Sequence, residues 1–277
     1  MSNIAQLLKK AEEKKEEEKR EEEKKEEEVK QVETKQENQE VKVSEQRPVE
    51  VYLIHGFKGT GKTTFALSFP GNIACLAFDV STATVHMRYY RGDRRIIVVD
   101  GSAKIDSSTP KRYLESCGES YNYIIELLSN PPFVGADYIV LDNVDKVQQI
   151  SEMTMRLRNG LSPFQGISNL NLWKERNLYN NFINMKAVRA AKRGVVYTVY
   201  TEISELMKDG EVIERKEVPK WVEAFALSAD DVIALSSEKG VFYATMESSK
   251  LYPQLTGKKF NVTGIGWKGV YGQVVKA

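Results

Sequence analysis

The chain has 277 residues, 41% hydrophobic and 29% charged, with a net charge of +1; this is a soluble globular balance with room for one or two domains and an ample core. No apolar run approaches the ~18–20 residues that cross a bilayer, and no cationic-then-apolar start reads as a secretion signal, so a cytoplasmic protein without membrane contact is expected. The two cysteines, Cys75 and Cys117, lack metal-ligand spacing and a disulfide framework, and are expected to be reduced and buried.

Residues 1–50 hold 12 basic and 16 acidic side chains, leaving 28 and 23 for the rest. The mildly basic remainder suits a polyanionic partner and equally fits an ordinary fluctuation. Ile4, Leu7, Leu8 and Ala11 form a short stripe at helical spacing, either a partner-docking peptide or a frayed helix start. Glu12–Lys30 is almost pure Glu, Lys and Arg, with Glu16 four residues before Arg20 and Glu21 four before Lys25, the spacing of a solvated helix. A polar stretch without periodicity then runs to Pro48, so residues 1–48 read as a charged arm and linker.

From Val49 the pattern changes to short apolar runs separated by helical segments. Strands are expected at Val51–Ile54, Ile73–Phe78, Ile96–Val99, Tyr138–Leu141 and Val195–Tyr200, with helices over Lys62–Ser68, Lys111–Ser129, Val144–Arg158 and Leu170–Arg193. Continuous apolar strands alternating with helices predict an α/β fold with a mostly parallel sheet covered on both faces. After Thr201, Asp209-Gly210 between Glu205–Lys208 and Glu211–Glu214 reads as a hairpin with a two-residue turn. Its register would set Lys208 opposite Glu211 and Met207 opposite Val212. Further strands at Val232–Leu235 and Val241–Met246 add antiparallel character, and residues 251–277 are read as an extension of a domain spanning 49–250.

Gly56-Phe57-Lys58-Gly59-Thr60-Gly61-Lys62-Thr63 matches the phosphate-binding loop of nucleoside-triphosphate-binding proteins. An apolar strand runs into it and a helix leaves it, as that loop requires. Glycines let successive amides converge on phosphate oxygens. Lys62 is expected to reach the β- and γ-phosphates, Thr63 to offer its hydroxyl to Mg²⁺, and Thr64 to lie near the α-phosphate. Tyr138–Leu141 ends in Asp142, the candidate carboxylate for the metal.

Hydrolysis also needs a group to orient or deprotonate water. Asp79 and Asp100 each end an apolar strand at the edge where open α/β sheets bind ligands. Asp79 is the preferred candidate, with a helix cap or turn former the competing reading. Asp145 lies three residues beyond Asp142. Thr201, at the end of Val195–Tyr200, is the candidate γ-phosphate sensor, with a plain strand terminus the competing reading.

The order of these features continues with Trp173-Lys-Glu-Arg176, Gly194–Thr201, Val218-Pro219-Lys220-Trp221, Ala229–Val232 and a strand reaching Ser249-Lys250. So ordered, residues 50–250 resemble the RecA/RadA-like ATPases encoded by phages and archaeal viruses, some of them linked to single-strand annealing. The resemblance implies a RecA-like core, ATP with Mg²⁺, self-assembly into a homo-oligomer, and a role on single-stranded DNA in recombination or replication, in host cytoplasm if viral. It also implies DNA-facing segments, one around Arg156 and Arg158 and one over Ile203–Val218 with Lys208, Arg215 and Lys216. Lys250 would reach a neighbouring subunit's phosphate, and the arm over 1–48 is a candidate site for a protein partner.

The sequence departs from that family in carrying Asp79 where a glutamate is usual, so slow hydrolysis, or hydrolysis through a different residue, is expected. A nucleotide or small-metabolite kinase, with Arg88, Arg91, Arg94 and Arg95 as a lid, is the principal alternative. A nucleotide-dependent switch and a DNA-packaging ATPase are the others. No Asn-Lys-x-Asp element for guanine follows Asp142.

Overall fold

The computed structural model describes residues 48–208, 211–220 and 222–272. The expected arm, apart from Pro48, therefore lies outside the described residues, as do Asp209-Gly210 and Trp221. In chain order the strands are β1 (Glu50–Gly56), β2 (Ile73–Ala77), β3 (Ile96–Asp100), β4 (Tyr138–Asp142), β5 (Gly194–Lys208), β6 (Glu211–Pro219), β7 (Asp231–Glu238), β8 (Val241–Ser249) and β9 (Lys259–Asn261). The helices are α1 (Lys62–Ala66), α2 (Val80–Tyr89), α3 (Pro110–Leu127), α4 (Val144–Arg158), α5 (Leu170–Ala190), α6 (Glu223–Ser228) and α7 (Trp267–Tyr271).

The sheet runs β3-β2-β4-β5-β1-β7-β8-β9, with β6 paired to β5 off this path. From β3 to β7 neighbouring strands are parallel, while β8 and β9 are antiparallel additions. One strand, β5, separates the strand entering the glycine-rich loop from the strand ending in Asp142. This is the RecA-like α/β arrangement, extended by C-terminal antiparallel strands.

The strands read as continuous apolar runs because both faces are covered. Val51 and Leu53 of β1 pack into one core with Tyr121, Ile150 and Ile183 from α3, α4 and α5. Tyr52 and Ile54, in the other phase, pack with Phe65 of α1 and Tyr271 of α7. Each fully buried side chain of this size contributes about 1.5–3 kcal/mol. Helix starts are fixed locally: Thr109 accepts from the Arg112 amide with Pro110 following it, and Asn143 accepts from the Lys146 amide. Leu251–Gly272 continues the same body, with Leu255, Val262, Val270 and Tyr271 in the α1-side core.

Helix α2 was not among the expected elements. Within it only Thr82 is buried, while Val80, Met87 and Tyr89 are exposed, so no apolar stripe marks it. The hairpin does have the expected register, Lys208 opposite Glu211 and Met207 opposite Val212. It is longer than expected, because β5 runs through Thr201 without a break.

Candidate functional site

The loop leaves β1 at the carboxyl end of the parallel strands. Gly59 and Gly61 hold φ of +86° and +85°, a region that side chains disfavour. Gly56 has a different constraint: a Cβ there would stand 2.4 Å from Thr60 Oγ1 and 2.6 Å from the Leu235 carbonyl. Phe57, Lys58 and Gly59 are exposed at the loop's crest, whereas Thr60 and Lys62 are buried.

Lys62 folds back under this crest. Its ammonium donates to the carbonyls of Gly56 (2.7 Å) and Phe57 (3.0 Å) and lies 4.3 Å from the centre of the Tyr200 ring. Burial lowers its pKa from the usual lysine value, against the upward pull of Asp142, Asp145 and Asp79. Those carboxylates keep a buried cation beside the loop.

Asp142 is 4% exposed and is ringed by hydroxyls. Thr63 and Thr82 each donate to Oδ2 at 2.7 Å, and Thr198 donates to Oδ1. Such bonds to a charged acceptor are worth about 1.5–3 kcal/mol each, so the carboxylate is fixed by three elements at once. Among the described residues no group of three or more His, Cys, Asp or Glu gathers as a metal cage. A hard cation that retains waters and phosphate oxygens needs no cage; the adjoining oxygens of Thr63 and Asp142 fit Mg²⁺ in that way.

Next to this lies a cavity of about 530 Å³ lined by Asp79, Asn143, Asp145, Tyr200 and Lys220 among others. Asp79 caps α2 by accepting from the Ser81 amide at 2.9 Å, and its other oxygen is 3.5 Å from the Tyr200 hydroxyl. Asp145 accepts from the Tyr200 amide at 3.0 Å and lies 3.4 Å from the Lys220 ammonium. Burial, then Asp79, Asp142 and Asp145, push the Tyr200 phenol up, so its hydroxyl stays protonated and donates. Asp100 is taken up by a turn, accepting from the Ser102 amide at 2.7 Å.

The strand phase of β5 decides which of its residues face the loop. Thr198 reaches Asp142 and Tyr200 reaches Lys62. Thr201 is in phase with Tyr197 and Val199, which pack in the core on the other face. Its hydroxyl is 2.8 Å from His55 Nδ1, whose Nε2 lies 3.0 Å from Glu247. Sequence reasoning picked Thr201 and missed Thr82, Thr198 and Tyr200.

The expected DNA-facing residues separate. Arg156 is buried: it bonds Glu152 at 2.8 Å and the carbonyls of Ser162 and Gln165 at 3.1 and 2.7 Å, so its guanidinium is committed inside the protein. Arg158 is exposed and rests on the Tyr179 ring and hydroxyl. Arg215 pairs with Glu205 at 2.9 Å, and Lys216 is exposed across from Ser204; the Lys208 side chain lies outside the described residues. Lys250 donates to the Ala229 carbonyl at 2.8 Å, next to Asp230, which accepts from Val51 at the start of β1. It therefore stands at the opposite end of the parallel strands from the loop. Of the expected lid arginines, Arg95 is tied to Asp93 at 2.6 Å. Cys75 and Cys117 are free and buried, and no described helix is long and apolar enough to cross a membrane.

No protein-family model matches the chain, and no curated protein matches it. Among solved structures, the crystal structure of the RadB recombinase aligns with a TM-score of 0.42 at 15% identity, over 79% of this chain and 90% of that one. At that level of likeness the assignment rests on the strand order: the chain has a RecA-like α/β fold.

Proposed function

We propose that the chain is a magnesium-dependent ATPase whose cycle acts on DNA in recombination, single-strand annealing or replication. The observation that carries this reading is the convergence of Lys62, Thr63 and Asp142 at the carboxyl end of one parallel sheet. The loop Gly56–Thr64 holds the triphosphate, and Lys62 exchanges its two carbonyl partners for β- and γ-phosphate oxygens. Thr63 and Asp142 would hold Mg²⁺, which would supply positive charge beside the phosphate oxygens. Asp79 orients the attacking water: its Oδ2 borders the cavity and is held only by the long 3.5 Å contact from the Tyr200 hydroxyl, a bond a water can replace. Because Asp79 is short and also caps α2, turnover is slow.

Support for DNA as the effector comes from continuity. The strand whose Tyr200 touches Lys62 runs on into the exposed β5–β6 ribbon, so a polymer on the ribbon and a nucleotide at the loop share one strand. Arg158 and Lys216 offer exposed charge for phosphates. The test is phosphate release from ATP with Mg²⁺, with and without single-stranded DNA. Magnesium-dependent turnover that rises with DNA is the expected result. Turnover unchanged by DNA, with no salt-dependent DNA binding, would leave an ATPase with a different effector.

A further inference from the structure

Helix α2 carries Asp79 at its N-cap, yet buries little that would hold it in place. Val85 and, just past the helix end, Tyr90 pack partly on the α1-side core, and the Tyr90 hydroxyl donates to the Thr64 carbonyl at 2.7 Å. The start of the helix is anchored differently. Thr82, its one buried residue, is 0% exposed and donates from Oγ1 to Asp142 Oδ2 at 2.7 Å. The same oxygen accepts from Thr63, also at 2.7 Å. One carboxylate oxygen therefore joins the hydroxyl that fits Mg²⁺ to the helix that presents Asp79.

Asp79 sits inside a ring of hydrogen bonds that begins and ends on Asp142. On the strand side, the Phe78 amide donates to the Asp142 carbonyl at 2.6 Å. On the helix side, the Asp79 carbonyl accepts from the Thr82 amide at 3.0 Å, and its carboxylate accepts from the Ser81 amide at 2.9 Å. Thr82 Oγ1 then closes the ring onto the Asp142 carboxylate. The backbone bond fixes where β2 ends, whereas the turn beyond it can pivot unless Thr82 holds it. A buried hydroxyl donating to a charged acceptor is suited to that task. Thr82 does not line the cavity beside Asp79, and its burial keeps it from touching nucleotide or water. Whatever it contributes to hydrolysis must pass through the residues it ties together.

We propose that Thr82 is a positioning residue for hydrolysis: it ties the first turn of α2, and with it Asp79, to the Asp142 oxygen that Thr63 shares. This rests on the proposed ATPase activity, and the experiment keeps the two apart. Phosphate release from ATP with Mg²⁺ is measured in the full natural chain, Thr82→Val, Thr82→Ser, Asp79→Asn and the Asp79→Asn/Thr82→Val double variant. Valine keeps the buried shape without the hydroxyl, serine keeps the hydroxyl, and asparagine keeps a cap acceptor for the Ser81 amide. Thr82→Val should lower kcat about tenfold with KM within about twofold, the split that follows when a reacting group is misplaced and binding is intact. Thr82→Ser should return kcat to within about threefold of the natural chain. Added to Asp79→Asn, Thr82→Val should remove nothing further, because the two act as a unit. In the protein without nucleotide, amide hydrogen exchange over Val80–Tyr89 should quicken about tenfold in Thr82→Val and not in Thr82→Ser. An unchanged kcat in Thr82→Val overturns the proposal even if exchange quickens, since the bond would then be structural alone. Unchanged exchange in Thr82→Val overturns it as well. So does an undiminished loss in the Asp79→Asn background, a natural kcat in Asp79→Asn, or a KM that rises as kcat falls. Each of these outcomes, with turnover in the natural chain, removes this inference and leaves the ATPase. A natural chain that releases no phosphate overturns the ATPase reading and this inference with it.

Discussion

Strand β5 passes through two environments. Up to Thr201 it is covered on both faces, and its Thr198 and Tyr200 meet Asp142 and Lys62. From Glu202 to Met207 every residue is exposed, although the same backbone pairing to β6 continues. In the first stretch a side chain's identity is dictated by buried partners that would otherwise go unsatisfied. In the second, pairing alone holds the strand, so its side chains are free to answer a partner. Ile203, Leu206, Met207, Val212 and Ile213 are all exposed there. Glu202, Glu205, Glu211, Glu214 and Glu217 outnumber Lys208, Arg215 and Lys216.

If that contrast is right, changes in the covered stretch should act on chemistry or stability, and changes in the ribbon on partners. The largest effect is expected at Lys62. Lys62→Ala removes the cation whose ammonium touches the loop carbonyls and Tyr200, and should lower ATP turnover by about a hundredfold or more. Phosphate release measures it, and turnover within about threefold of the natural chain would remove the loop from the account.

Arg156 sharpens the contrast from a second helix. It is basic and lies in a segment expected to face DNA, yet it is buried against Glu152 and two carbonyls. Arg156→Ala should cost about 2–3 kcal/mol by leaving those acceptors unpaired, read as a lower denaturation midpoint. DNA affinity measured below that midpoint should not change. A large loss of DNA affinity without loss of stability would return Arg156 to the interface. Thr198→Val is milder. It deletes one of three hydroxyls on Asp142 and should cost about 1–2 kcal/mol, with weaker Mg²⁺ dependence of turnover.

These residues also show what the sequence could disclose. The loop and the strand ending in Asp142 were legible because each is a contiguous pattern whose chemistry requires that spacing. Thr82, Thr198 and Tyr200 were not, since each acts through a neighbour 56 or more residues away or across the sheet. Period two in β5 does say that Thr198 and Tyr200 share a face and Thr201 takes the other. It does not say which face the loop occupies; that follows from β5 lying between β1 and β4. Helix α2 was hidden for a related reason: it buries almost nothing, and burial is what writes periodicity into a sequence. Arg156 and Lys216 look alike as letters, and only packing separates them.

The smallest effects on stability are expected in the ribbon. Arg215 and Glu205 are both exposed, and such pairs contribute little, so Arg215→Ala and Lys216→Ala should each shift stability by less than about 0.5 kcal/mol. Their effects on DNA should differ. Lys216 lies across from Ser204, so a phosphate contact costs it no ion pair. Lys216→Ala should reduce the slope of log affinity against log salt by about 0.7, the share of one phosphate on a single strand. Arg215 would have to give up Glu205 to reach a phosphate, and its removal should reduce the slope by less. A slope unchanged in both variants would take the ribbon out of the DNA interface. Its exposed apolar side chains and excess of glutamates would then belong to a protein partner, and only the covered half of β5 would remain tied to nucleotide chemistry.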